Sequence, residues 1–442
     1  MKTFKIGGIH PAENKLSATS PIEVLPLPKT VYIPFSQVLG APSVPVVEKG
    51  AKVKVGQLLA KGEAFISANV HSSVSGTISK IDDIIDVSGY KRKAFVIEVE
   101  GDEWLPDIDK SPNIKNDINL TPEEIINKIK EMGIVGLGGA TFPTHIKLMV
   151  PKDKQAEVLI INGVECEPFL TSDHRLMLEK GEEIMIGTSI LMKAIGVNKA
   201  IIGIENNKPD AIKYLQELSK DYPNITVQAL KVKYPQGGEK QLIQALTGRY
   251  VPSGKLPIEV GTIVNNVGTV YAVYEAIQKN KPLFERIVTV TGKHLNKTAN
   301  FKVRIGTPIN LLIEAVGGLP KDTLKIISGG PMMGKALASL ETPVIKGMSG
   351  IVILTEKEKI SSRQYNCIRC GKCIQACPMG LQPYLLSLYS IKDDFEQLEQ
   401  NNIMDCIECG SCGYTCPAHI YLVDNIRAGK NKVGQIIRSR VK

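Results

Sequence analysis

Cysteine occurs twice in one spacing near the end of this 442-residue chain, C-x2-C-x2-C-x3-C followed by proline. Cys367, Cys370, Cys373 and Cys377 precede Pro378; Cys406, Cys409, Cys412 and Cys416 precede Pro417. Three closely spaced thiolates can wrap one corner of an iron–sulfur cube, and the fourth cysteine of such a run commonly ligates the cluster of the other run. On that rule Cys367, Cys370, Cys373 and Cys416 hold one [4Fe–4S] cluster, and Cys406, Cys409, Cys412 and Cys377 hold a second. The prolines stop the chain from continuing as helix over the cluster. Zinc usually draws on separated cysteine pairs, and disulfides need an oxidising compartment, to which nothing else in the sequence points. The chemistry expected here is transfer of single electrons.

A second candidate is Gly136-Leu137-Gly138-Gly139-Ala140-Thr141-Phe142-Pro143-Thr144-His145-Ile146-Lys147, a glycine-rich loop that enters a helix. Amides freed of Cβ bulk can approach a phosphate, with the helix start and Lys147 supplying positive potential. It is not the Gly-x-Gly-x-x-Gly turn of a dinucleotide-binding Rossmann unit. Glycine-rich turns are common, so this loop alone specifies little. No residue is assigned as a general acid or base.

The elements that must position these residues can be read in chain order, and the expected class is a multidomain α/β protein. Residues 1–110 read as β, with Val44–Val47 and Ala94–Val99 as strands between glycine turns. Gly50–Ala60 and Val70–Ile78 resemble the two halves of a lipoyl-type barrel-sandwich hybrid. No lysine lies between Lys61 and Lys80, so covalent carrier function is not expected, and a lone His71 reads first as a packing residue. Residues 111–285 alternate strands and helices, which implies a Rossmann-like, mostly parallel sheet with right-handed crossovers. Its first helix opens on the capping box Thr121-Pro122-Glu123-Glu124 and closes at Gly133. Residues 286–355 return to short strands around one helix near 308–317, a β-grasp-like unit. Residues 356–442 form a helical two-cluster ferredoxin-like domain with a basic tail, beginning near 361.

Nine cysteines leave only Cys166 outside the two runs. The first residues lack the apolar core of a signal peptide, and no uncharged apolar run reaches membrane-spanning length. Reduced cytoplasm is therefore the expected home. The net charge of +9 is concentrated partly in the tail, where Arg427, Lys430, Lys432, Arg438, Arg440 and Lys442 face only Asp424. The tail is as readily a frayed terminus as a docking element. If helical, it aligns Val433, Ile436, Ile437 and Val441 on one face, and truncation after Ile426 should weaken membrane association while sparing the clusters. No nucleic-acid-binding module surrounds the charge.

Three further segments give the glycine loop its meaning: Asn162-Gly163-Val164-Glu165-Cys166-Glu167-Pro168, Tyr234-Pro235-Gln236-Gly237-Gly238-Glu239-Lys240 and Asn265-Asn266-Val267-Gly268-Thr269. In this order, residues 120–340 resemble the NADH- and FMN-binding subunit of respiratory complex I. The resemblance implies that Gly136, Gly138, Gly139, Lys147, Asn162, Glu165, Asn265 and Asn266 hold FMN, and that Phe142, Glu167 and Glu239 shape an NADH pocket. The family's acidic residue before Glu-Ser-Glu is Val164 here, and its serine is Cys166. Gly238 and Gly268 likewise stand where the family has acidic residues. Over its full length, including Gly329-Gly330-Pro331-Met332-Met333-Gly334, the chain resembles the RnfC components of Rnf complexes, ion-translocating ferredoxin:NAD oxidoreductases of the bacterial cytoplasmic membrane. That implies two [4Fe–4S] clusters, FMN and NAD(H), a peripheral position on the cytoplasmic side, and the other members of the complex as partners, with ferredoxin reached indirectly and no nucleic acid. Two other readings share these features: a soluble cobalamin reductase of the propanediol-utilising type, and an electron-relay protein without flavin.

Overall fold

Strand–helix alternation from residue 158 onward builds a wholly parallel four-stranded sheet in the computed structural model, which describes residues 1–359 and 363–440. Its spatial order is Ile225–Leu230, Ala200–Glu205, Val158–Asn162, Thr262–Asn266. The chain enters at Val158–Asn162, steps twice to one side, then returns to the other side for Thr262–Asn266. Connections leave these two neighbours in opposite directions, so a crevice opens beyond their carboxyl ends, the usual ligand position in open α/β sheets. Successive residues feed opposite cores, as a strand's period of two requires. Leu159 and Ile161 pack with the helices Gly181–Ile195 and Val267–Gln278. Val158 and Ile160 meet Leu242, Ile243 and Leu246 of Glu239–Thr247.

The helix Pro122–Glu131 has the expected capping box. Thr121 Oγ1 accepts from the Glu124 amide at 3.3 Å, and the Glu124 carboxylate accepts from the Thr121 amide at 2.7 Å. Its apolar face buries Ile125 and Ile129, and Gly133 takes the left-handed conformation beyond its end at φ +64°.

Two small sheets form the barrel-sandwich: Thr30–Pro34, Lys91–Val99, Gly76–Ile85 and Lys52–Val53 in one, Val44–Pro45, Leu58–Lys61 and Val70–His71 in the other. His71 is buried, and burial pushes its imidazole down to about 3. It is a neutral packing residue. A six-stranded sheet around the helix Ile309–Glu314 makes the β-grasp-like unit.

The first two dozen residues, which the sequence groups with the barrel-sandwich, also reach beyond it. Lys2 and Ile9 bridge Leu230 and Tyr234 of the parallel α/β unit, and Ile22–Val24 adds an edge strand beside Ala299–Arg304. These pairings span more than 200 residues, and no local pattern announces them.

The cluster region consists of short helices followed by one long helix, Leu422–Arg440. The expected domain start near 361 and tail residues Val441 and Lys442 lie outside the described residues. The tail is not a frayed end. Its Ile426 and Val433 are buried with Leu386 of Pro383–Ile391 and Leu398 of Phe395–Gln400, and Ile437 packs beside them. Two of the apolar residues offered for docking, Val433 and Ile437, are thus spent inside the domain. Lys430 Nζ donates to the Cys406 carbonyl at 2.6 Å. Truncation after Ile426 is therefore expected to damage the cluster region itself, because each fully buried aliphatic side chain contributes about 1.5–3 kcal/mol. Iron content and thermal unfolding of the truncated chain check this; unchanged values would return the tail to a peripheral role. Among the described residues, no helix is long and apolar enough to cross a membrane.

Candidate functional site

The crevice beyond Val158–Asn162 and Thr262–Asn266 gathers most of the residues singled out for flavin. Asn266 and Asn162 are register partners at the two strand ends. Asn266 caps the helix Val267–Gln278, its Oδ1 accepting from the Gly268 amide at 2.8 Å and its Nδ2 donating to Asp173 at 2.7 Å. Asn162 Nδ2 donates to the Gly237 carbonyl at 2.9 Å, bringing the Tyr234–Lys240 segment to the same place. Asn265 is 4% exposed, and its Nδ2 has no hydrogen-bond partner. A buried amide left unmade is costly, so this donor fits an acceptor supplied by a ligand.

The glycine loop closes one side. The Leu137 amide donates to Thr269 Oγ1 at 2.8 Å, and the Gly136 amide to the Phe142 carbonyl at 2.8 Å. A Cβ on Gly138 would stand 3.4 Å from that of Asn266, so the loop lies directly against the strand end. Gly139 has φ +111° with open space where a side chain would point. Lys147 extends from the short helix Thr144–Leu148 to the Val264 carbonyl and to Glu239 Oε1, both at 3.0 Å. Glu239 is the first residue of its own helix, so a residue expected for flavin and one expected for nicotinamide meet as an ion pair. Phe142 sits half-buried in the loop. An uncrowded loop, a lysine and an unpaired buried amide at a strand switch point together fit a phosphate-bearing planar cofactor.

Two glutamates expected at the cofactor also hold contacts within the fold. Glu165, at φ +45°, caps the helix Ser172–Glu179, accepting from the Asp173 amide at 2.8 Å, the His174 amide at 3.1 Å and Ser172 Oγ at 3.2 Å. Its carbonyl is held by Lys15 Nζ at 2.7 Å. Both ends of Glu165 are occupied by the fold, so it shapes the crevice as a helix cap. Glu167 faces the glycine-rich turn of the β-grasp unit, where the Met332 and Met333 amides donate to it at 3.1 and 2.9 Å. Burial pushes its carboxyl up to about 7, against the pull of those amides and of Tyr234. Lys15, which also holds the Glu167 and Leu170 carbonyls, has no sequence signal because its partners lie some 150 residues away.

Cys166 is half-buried, its sulfur accepting from the Gly237 amide at 3.4 Å, and burial holds its thiol far above the usual range. It behaves as a small serine-like acceptor. Gly268 sits in a confined place: a Cβ there would lie 3.1 Å from Asn266 Oδ1, 3.6 Å from Arg286 and 3.7 Å from Asp173. Asp173 therefore supplies a carboxylate close to where the complex I family carries one at position 268.

The second centre is a pocket lined by Cys377, Cys406, Cys409 and Cys412, with Pro378, Leu386 and Ile426 closing its apolar side. One member comes from the first run and three from the second, the crossed set expected from the spacing. Burial first, and then proximity to Cys409 and Cys377, pushes the Cys406 thiol up to about 11. Four such thiols ionise together only against a strong local positive charge, which a metal cluster supplies. Cys373 and Cys416 pack together with Leu422 and Tyr384, while Cys367 and Cys370 are exposed on the segment leading in. Among the described residues, no three His, Cys, Asp or Glu side chains converge on a single-ion site. Four cysteine sulfurs lining one pocket are the donor type of an iron–sulfur cluster.

Comparison with known proteins gives four family matches along the chain: the RnfC barrel sandwich hybrid domain over residues 2–102, the Nuo51 FMN-binding domain over 129–275, the SLBB domain over 287–336 and the 4Fe-4S dicluster domain over 366–420. The C component of the proton-translocating ferredoxin:NAD(+) oxidoreductase complex of Clostridium ljungdahlii is 47% identical over 408 residues, 92% of this chain and 88% of that protein. Its counterpart in the Na(+)-translocating complex of Acetobacterium woodii is 44% identical over 433 residues, covering 98% and 97%. The corresponding component of the ion-translocating oxidoreductase complex of Rhodobacter capsulatus is 38% identical over 441 residues, covering 98% and 84%. Among solved structures, the NAD+-reducing [NiFe]-hydrogenase in its air-oxidized state shares the fold, with TM-score 0.50 at 17% identity over 71% of this chain and 66% of that one.

Proposed function

Because the chain belongs to the RnfC family, the C components of ion-translocating ferredoxin:NAD(+) oxidoreductase complexes, we propose that it is the NADH-handling electron-transfer member of such a complex. It carries FMN and two [4Fe–4S] clusters. Bound flavin supplies exchange between the two-electron chemistry of a hydride and the one-electron chemistry of the clusters. The chain's own residues bind and orient. Gly136, Gly138 and Gly139 admit the phosphate to the loop, Lys147 offsets its charge, and Asn162, Asn265 and Asn266 present polar groups at the strand ends. Glu239 and Phe142 border the nicotinamide side. Cys367, Cys370, Cys373 and Cys416 hold one cluster; Cys377, Cys406, Cys409 and Cys412 hold the other. The protein is peripheral to the membrane and rests on its partners in the complex from the cytoplasmic side, exchanging electrons with ferredoxin only through them.

The observation that carries this reading is the unpaired Asn265 amide at the switch point, with Lys147 on the neighbouring Val264 carbonyl and Gly138 against Asn266. The test is anaerobic reconstitution with iron, sulfide and FMN, followed by metal and flavin analysis and NADH-dependent dye reduction. A reconstituted chain with full iron but no flavin would leave only a relay.

The Lys147–Glu239 pair sharpens one expectation. Glu239→Gln should raise KM for NADH several-fold and leave flavin occupancy near that of the wild type, since Lys147 keeps its Val264 carbonyl. Parallel flavin titration and dye-reduction kinetics check it. Equal loss of flavin and NADH affinity would mean that Glu239 acts only through Lys147.

A further inference from the structure

Tyr234 lies inside a segment singled out for its glycines and its glutamate, yet the tyrosine itself has no assigned task. It is 2% exposed. Its hydroxyl stands 2.8 Å from the Cys409 carbonyl oxygen and 3.2 Å from Glu167 Oε1. One hydroxyl has one hydrogen, so the two acceptors compete for it. The surroundings hold this triangle in place. Ile9 and Tyr234 exchange backbone hydrogen bonds at 2.9 Å each, and the Gly8 amide donates to the Ala376 carbonyl at 2.9 Å, beside Cys377. A Cβ on Gly330 would reach within 2.1 Å of the Glu167 carboxylate, and one on Gly410 within 2.8 Å of the Met332 carbonyl. Only glycine permits either approach. The nucleotide-side segments and the cavity of Cys377, Cys406, Cys409 and Cys412 are thus joined through one phenol.

We propose that Tyr234 is a positioning residue for the second cluster, setting its reduction potential through the Cys409 carbonyl, and that Glu167 governs how much of the hydroxyl hydrogen reaches that carbonyl. The proposal rests on Cys409 being a cluster ligand. A hydrogen bond donated into the ligand's peptide withdraws electron density and polarises the following amide toward the sulfurs. Partners one bond beyond the ligand tune such centres.

The experiment is an EPR-monitored redox titration of the reconstituted full chain with three variants. Tyr234→Phe should shift the second cluster to a more negative potential and leave the first in place. Glu167→Gln should shift the second cluster the other way, because the hydroxyl hydrogen is released to Cys409 and a negative charge is removed. In the double variant the Glu167→Gln shift should shrink to the part that loss of the charge alone contributes. A Glu167→Gln shift of the same size with and without the hydroxyl would mean a through-space charge effect and overturns the bridge. So does a Tyr234→Phe potential equal to the wild type, or an equal shift of both clusters. Should Tyr234→Phe shed the second cluster, 3-fluorotyrosine at position 234, which keeps the ring and donates its hydroxyl hydrogen more strongly, decides: a positive shift of the second cluster alone upholds the bridge and none overturns it. Failure of the underlying reading looks different, since the wild-type chain would then take up no second cluster.

Discussion

Replacing Cys377 by serine is expected to remove the cluster of the other cysteine run and to spare most of its own. In sequence Cys377 ends the first run, but in space it lines one cavity with Cys406, Cys409 and Cys412. A serine hydroxyl is a poor substitute for a thiolate at iron, because it ionises far less readily and is a harder ligand. Iron is expected to fall from about eight to about four per chain. The remaining signal should be that of the cluster held by Cys367, Cys370, Cys373 and Cys416. Cys373→Ser should give the complementary result, losing the first cluster and keeping the second. Metal and sulfide analysis with EPR on the two variants decides the matter. One tightly bound zinc per run without sulfide, or loss confined to the run that was mutated, would contradict the crossed arrangement.

Gly139→Val should abolish most flavin binding. The residue has φ +111°, where a β-branched side chain costs about 1–3 kcal/mol. The loop can relieve that strain only by leaving its seat against Asn266. Strain alone predicts about fivefold to about 150-fold weaker binding, and the valine would also fill the open face. Gly50→Val is the control. Gly50 has φ +87° and equally open surroundings, but lies in the barrel-sandwich. Its variant should show comparable strain in thermal unfolding with flavin content intact. Flavin released on denaturation, measured per chain, reads both. Normal flavin in Gly139→Val would remove the loop from the binding site.

What could be read in the sequence was what repeats locally. The cysteine spacing, the Thr121–Glu124 capping box and the β-strand runs at 158, 200, 225 and 262 all depend on residues within a turn or two of each other. The strand order followed from the sequence only as far as parallel pairing. That Thr262–Asn266 returns beside Val158–Asn162, opening the crevice between Asn162 and Asn265, rests on packing between the two faces of the sheet. Side-chain direction was harder. Glu165 and Glu167 sit two residues apart in a motif associated with nucleotide binding, yet one caps a helix and the other bonds a distant glycine turn. The same holds for Val433 and Ile437, whose helical spacing is visible but whose partners, Leu386 and Leu398, could not be told from an external surface. Periodicity says that a face is apolar; it does not say what covers it.

The strap of residues 2–9 has a consequence for how the molecule is made. Lys2 and Ile9 seat against Leu230 and Tyr234, and the Gly8 amide against Ala376. A Cβ on Gly7 would lie 2.3 Å from the Cys377 carbonyl. These residues leave the ribosome hundreds of positions before the partners they wait for. Closing so long a loop carries an entropic cost before any contact rewards it, so the strap is seated after the units it joins. Its last contact is with the segment carrying Cys377, which must be in place for the second cluster to be complete. Seating of the strap thus follows synthesis of the cysteine domain, and protection of residues 2–9 from protease would time the end of maturation.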